Sequence, residues 1–315
     1  AQVAATEAVL LTGLPAPDSM NDVDTAAMAG AVRGLESLAR TVRARKLPKL
    51  GDRTWDLLRW AATAQRPLAD PRFAISRRLA MAALISGDEA TPSVIERGLH
   101  DADVEVRRFA AAALATDARI EERDRILKIA LADPEPRVRL EGLRSWGRQV
   151  QKASCAPIKA AVRDANMHVS LQAIDLLASP CPAADAAASD LVPIVNALNT
   201  EARAWQAPAH ALVSLAKIDA DAARQALPRF VQHPTWQVRM YAARAAGVVT
   251  ALDHLATLAA DPNDNVREAV LASLIELKRP EAVTVALESL TRTDYQLVIT
   301  ATRALEDKTL APKAT

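Results

Sequence analysis

The chain has 315 residues, half of them apolar, which suffices for one or two ordinary domains or one elongated array. Its 39 basic and 38 acidic residues leave a formal charge of +1, so no overall field draws it toward nucleic acid or anionic lipid. No apolar run approaches the ~20 residues of a membrane span. Glycine is scarce at nine, aromatic residues are few, and neither alternating strand runs nor Asn-Gly hairpin signals occur. The composition is all-α.

The chain begins AQVAATEAVL, without Met, as expected after removal of a signal peptide or within a longer protein. Helical patterns at 3–12, 25–43 and 53–64 make residues 1–67 a degenerate, capping first region. Beyond it one phrase returns: LHDADVEVRRFAAAAL at 99–114, LADPEPRVRLEGLRSW at 131–146 and AADPNDNVREAVLASL at 259–274. A catalytic motif occurs once, whereas a recurring phrase marks a structural repeat. Aligned on the residue before the Arg, the copies fall at Ser76, Val106, Val138, Val169, Ala207, Val238, Val266 and Leu297. A step of ~30 residues accommodates two short helices and two turns. Small or apolar residues at the fourth, seventh and eighth places, such as Gly142, Ser145 and Trp146, form one helical face. The Val residues at 106, 138, 169, 238 and 266 are predicted to be buried between repeats.

Asp101 and Arg107, Asp133 and Arg139, and Asp261 and Arg267 each stand six apart across the turn between the two helices. Asp there is placed to cap the second helix and to face its own or a neighbour's Arg, giving a structural ladder along the stack. Ser170 and His233 interrupt the pattern.

The signature D-[PA]-x-x-x-V-R-x-x-A-x-x-A-L resembles the HEAT repeat, particularly its short bacterial type, over residues 68–306. The resemblance implies a right-handed α-solenoid of about eight to nine helix pairs, with the second helices on the concave side, followed by a polar tail at 307–315. Fold analogy assigns no activity. The deoxyhypusine hydroxylases resemble this array but carry His-Glu pairs as iron ligands. None of the five His here precedes Glu, so no metal, cofactor or catalytic residue is expected. HEAT-like DNA glycosylases offer a second comparison. The strongest basic run here, with Arg40, Arg43, Arg45, Lys46 and Lys49, reads as a helix C-terminus entering solvent. Nucleic acid is a minority reading.

The binding candidates lie in columns on the second helices: Trp205, Gln206, His210, Trp236, Gln237, Tyr241 and Arg244. Aromatic and amide rows of this kind suit a protein or extended peptide partner, and equally suit rings that seal the turns between repeats. The insert SPCPAADAAASD at 179–190 lengthens the step to 38 residues and is expected to open a recess beside them.

A weaker resemblance, resting on RDANMHVSLQAIDLL and TDYQLVITATRAL, points to bacterial exported proteins in which a HEAT array precedes a cyclophilin-type peptidyl-prolyl isomerase domain. It implies that any activity lies outside this chain. Cys155 precedes one helix and Cys181 follows the next, so an antiparallel pair brings them to one edge within disulfide range. Such a bond implies an oxidising compartment such as the periplasm; two unrelated thiols would fit the cytoplasm. The resulting expectation is a non-enzymatic, protein-binding scaffold.

Overall fold

The computed structural model describes residues 2–14, 25–63, 73–114, 122–149, 154–182, 187–199, 205–307 and 309–310. Every regular element among them is helical. The chain divides into two compact units, residues 1–151 and 152–315. The first contains α1 (Gln2–Leu11), α2 (Thr25–Arg45), α3 (Asp52–Ala62), α4 (Ala74–Gly87), α5 (Pro92–Leu99), α6 (Val104–Ala113), α7 (Arg123–Leu131) and α8 (Pro136–Gln149). The second contains α9 (Ala156–Ala161), α10 (Met167–Leu176), α11 (Ala188–Asn196), α12 (Gln206–Ile218), α13 (Ala220–Val231), α14 (Trp236–Val248), α15 (Leu252–Ala259), α16 (Asp264–Glu276), α17 (Glu281–Ser289) and α18 (Tyr295–Glu306). The expected boundary at 67/68 lies outside the described residues.

Each unit is a stack of antiparallel pairs. In the first, α2, α4, α6 and α8 pack one on the next, and α10, α12, α14, α16 and α18 do the same in the second. The partner helices, α3, α5 and α7 or α11, α13 and α15, touch their like only lightly. Within a unit, therefore, the second helices form the tight inner layer and the first helices splay apart on the outer side.

The sequence pattern explains the packing. Val106, Val138, Val169, Val238 and Val266 are at most 1% exposed, and each contributes about 1.5–3 kcal/mol by leaving water. Small residues let backbones close in. A Cβ on Gly142 would stand 2.9 Å from that of Ala130. Ser145 Oγ instead reaches the Ala111 carbonyl of the preceding inner helix at 2.9 Å. The tail is not uniformly polar, because Leu310 is buried.

The turns correct one expectation. Asp101 does not cap α6. Its carboxylate accepts the Asp103 N–H at 2.7 Å, and Asp103 then caps the helix through the N–H groups of Glu105 and Val106. Asp261 likewise holds the Asn263 N–H, and Asn263 is the cap of α16. An Asx turn thus precedes the cap, which moves the capping role two residues along the chain.

Candidate functional site

The ladder Asp and Arg pair between repeats, not within them. Arg77 grips Asp101 through Nε and Nη2 at 2.7 and 2.9 Å. Arg107 holds Asp133 at 2.7 and 3.2 Å, and Arg239 holds Asp261 at 2.6 and 3.0 Å. The Arg of each motif meanwhile donates to the backbone of its own turn: Arg107 to the Asp101 carbonyl, Arg139 to that of Asp133, and Arg267 to that of Asp261. One guanidinium therefore ties its own turn to the next repeat's turn. Arg77 was not legible as a ladder residue, since Asp70 stands seven residues before it and not the six of the other Asp–Arg pairs. Burial alone would raise the Asp261 carboxyl; Arg239 and the Asn263 N–H overcome it and leave it below the usual carboxylate range. His233 replaces a ladder Asp by mimicry. Its Nδ1 takes the Thr235 N–H at 3.1 Å, and Nε2 lies 2.9 Å from the Asn199 carbonyl.

Four of the seven binding candidates, Trp205, His210, Tyr241 and Arg244, come together in one network on the inner face of the second unit. His210 on α12 places Nδ1 2.8 Å from Asp175 of α10 and Nε2 2.7 Å from the Tyr241 hydroxyl of α14. With Tyr241 donating, the imidazole donates its Nδ1 proton to the carboxylate, which sets the tautomer. The Arg244 guanidinium lies 5.0 Å from the centre of the Tyr241 ring, and the Trp205 ring 6.0 Å from it. Gln237 opens the first turn of the same helix as Tyr241 and Arg244, and Gln206 opens that of His210. Trp236 starts α14 and is half-buried, with Gln237 half-buried beside it. The network thus crosses three successive inner helices.

Hydroxyl, imidazole and carboxylate in series is the order that activates nucleophiles. Here burial pushes the Tyr241 hydroxyl above its ordinary range, against the pull of Arg244, which is the opposite of activation.

Two further expectations meet the structure near the insert. A recess of about 320 Å³ does form, but it is lined by Pro180, Cys181, Ala187, Lys217 and Ile218, at the C-terminal ends of α10 and α12. The aromatic and amide columns sit at the helix N-termini, so the recess does not adjoin Trp205 or Gln237; residues 183–186 lie outside the described residues. Cys155 and Cys181 are joined in a disulfide, with Cα atoms 5.7 Å apart and 26 residues of separation. The bond ties the start of α9 to the end of α10. In the basic run, Arg40 faces Glu36, Arg43 donates to the Ile85 carbonyl, and Lys49 lies 3.7 Å from Glu89.

No protein-family model matches the chain, and no curated protein matches it by sequence. Solved structures do. A chain in the structure of Kap95p with RanGDP is similar at 14% identity and a TM-score of 0.51, over 96% of this chain and 44% of that one. This chain therefore spans less than half the length of that relative. YibA of E. coli gives 17% identity and 0.48, covering 87% and 96% of the two chains. Importin beta gives 12% and 0.49, covering 92% and 44%. None of these three is described as a peptidyl-prolyl isomerase, and that resemblance rests on sequence texture alone. What the Kap95p comparison adds to the helix pairs, the buried valines and the inter-repeat ladder is the fold: this chain is a HEAT-type α-solenoid.

Proposed function

We propose that the chain is a non-enzymatic scaffold whose inner face in the second unit binds an extended segment of a partner protein. The observation that carries this reading is the Asp175–His210–Tyr241 network, which stiffens three adjacent inner helices and sets Arg244 and Trp205 around one half-exposed ring. Aromatic and Arg side chains on a rigid surface are the groups that dominate binding energy at protein interfaces. The amides Gln206 and Gln237, one per repeat, add donors and acceptors suited to a peptide backbone. The similar Kap95p structure is described as one in which Kap95p binds RanGDP, which supports protein as the class of partner.

The same reading places the protein in an oxidising compartment, supported by the Cys155–Cys181 bond. No helix among the described residues is long and apolar enough to cross a membrane.

Selection of displayed random peptides against the whole chain tests the proposal. Binders are expected to lose about tenfold or more in affinity when Gln237→Ala and Arg244→Ala are combined, at unchanged melting temperature. Binders indifferent to both substitutions would overturn it.

A further inference from the structure

A second surface follows from the place where the ladder stops. Arg77, Arg107 and Arg239 each receive a carboxylate from the next repeat. Arg267 is the corresponding residue of α16, but the next repeat carries Arg292 where Asp would stand, and Arg292 is turned away onto Asp264 at 2.8 Å. The effect on Arg267 is visible in its geometry. In Arg107 and Arg239 it is Nη1 that reaches the carbonyl of the motif's own turn, which leaves Nε and Nη2 for the carboxylate. In Arg267 it is Nε that takes the carbonyl, at 2.7 Å, and its Nη atoms have no hydrogen-bond partner among the described residues.

Those Nη atoms belong to a residue that lines a groove of about 670 Å³ on the outer side, between α15 and α17. This volume is in the ~300–1,000 Å³ range of sites that engulf compact apolar groups. Leu255 and Leu274 form a buried floor, Leu252 and Val285 form half-buried walls, and Ala256 stands exposed at the edge. Around the rim stand Asp253, Glu281 and Glu288. Arg279 takes up Glu281 at 3.1 Å, while Asp253 and Glu288 have no ion pair among the described residues.

We propose that this groove takes an apolar segment of a partner polypeptide whose single Asp or Glu carboxylate pairs with Arg267. The partner thereby supplies the contact that the other ladder arginines obtain from their own chain. The acidic rim sets the rest of the partner's chemistry: a second acid is repelled and basic flanks are drawn to Asp253 and Glu288. The segment is short. At 1.5 Å per residue, the eight residues of α15 offer about 12 Å of wall, enough for roughly two helical turns.

The experiment uses the whole chain and a short fluorescein-labelled peptide with leucines beside one central Glu and a Lys at each end. A second peptide carries Gln in place of that Glu, and affinities are read by fluorescence anisotropy. The Glu peptide is expected to bind about tenfold more tightly, as a charge-assisted hydrogen bond requires. Arg267→Gln should erase that preference, and Ala256→Arg, an exposed substitution that fills the groove, should weaken both peptides. The most telling variant is Arg292→Asp, which returns a carboxylate to the ladder. It should raise the melting temperature and also abolish the preference for Glu, because the internal acid now occupies Arg267. Equal binding of the two peptides to the wild-type chain overturns the proposal, as does a Glu preference that survives Arg292→Asp. Concentration-dependent self-association removed by Ala256→Arg also overturns it, since the occupant would then be a second copy of this chain.

Discussion

In the first compact unit, the joint between α4 and α6 is closed by Arg77 and Asp101, whose side chains are 2% and 1% exposed. In the second, between α10 and α14, the position of the ladder Arg is held by Ser170 and then Pro208, and the joints are closed by other means. Ser170 turns back to the Val162 carbonyl at 2.7 Å, a disulfide fastens the α9–α10 pair, and the Asp175–His210–Tyr241 network bridges the three inner helices. The difference follows the regularity of the repeat. A guanidinium–carboxylate pair needs both groups within about 3 Å at a fixed angle, so it survives only where successive turns superpose. The 38-residue step removes that register. A covalent link within one pair and a three-residue network with longer reach replace the charge pair there.

The largest expected effect tests the regular joint. Arg77→Ala leaves the Asp101 carboxylate buried without its cation and should cost about 3–5 kcal/mol in chemical denaturation. Arg78→Ala, one residue on, breaks a pair whose Arg is 35% exposed, and should cost no more than about 1 kcal/mol. Equal losses from the two would break the distinction between ladder and surface pair.

Next comes the covalent joint. Replacing Cys155 and Cys181 by Ser releases a 26-residue loop and should cost about 3.5 kcal/mol on the chain-entropy account. Hydrogen exchange should then quicken in α9 and α10 and stay unchanged in α2–α6, since repeats contact mainly their neighbours. Two titratable thiols in the unfolded, unreduced protein would remove the bond from the comparison altogether.

A smaller effect sharpens the network. Tyr241→Phe keeps the ring under Arg244 and deletes only the hydroxyl that reaches His210. A loss of about 0.5–1.5 kcal/mol is expected. No change in stability would show that the three inner helices do not depend on the hydrogen bond.

The smallest effect is acid sensitivity at Asp103. The hydrogen bond from Arg78 holds its carboxyl below the usual range, against the opposing effect of burial. A carboxyl lowered in the folded state binds its proton later than in the unfolded chain. Its stabilisation is therefore complete above the unfolded value of about 3.9 and is lost as pH falls below it. Asp103→Asn keeps a capping side chain and should flatten that acid limb by less than about 1 kcal/mol in melts below pH 4, given the exposure of Arg78. An unaltered acid limb would assign the sensitivity elsewhere.

The sequence by itself determined the helical class, the repeat, its buried Val positions and the proximity of Cys155 to Cys181. All four follow from spacing along the chain: a 3.6-residue period selects a helix face, and an antiparallel pair returns its end to its beginning. Only the tertiary structure decided which Asp meets which Arg. A spacing of six describes one turn, whereas Arg107 and Asp133 are 26 residues apart and meet because repeats stack at one offset. Arg77 stayed out of the ladder because Asp70 precedes it by seven residues where the other copies have six, although Ser76 is buried as the Val residues are. The columns on the second helices singled out His210 and Tyr241, but Asp175 gave no signal, and only the stack brings partners 31 and 35 residues apart into hydrogen-bond range. The groove beside Arg267 depends on an absence one repeat away, at Arg292, and stacking alone turns that absence into an open guanidinium beside apolar walls.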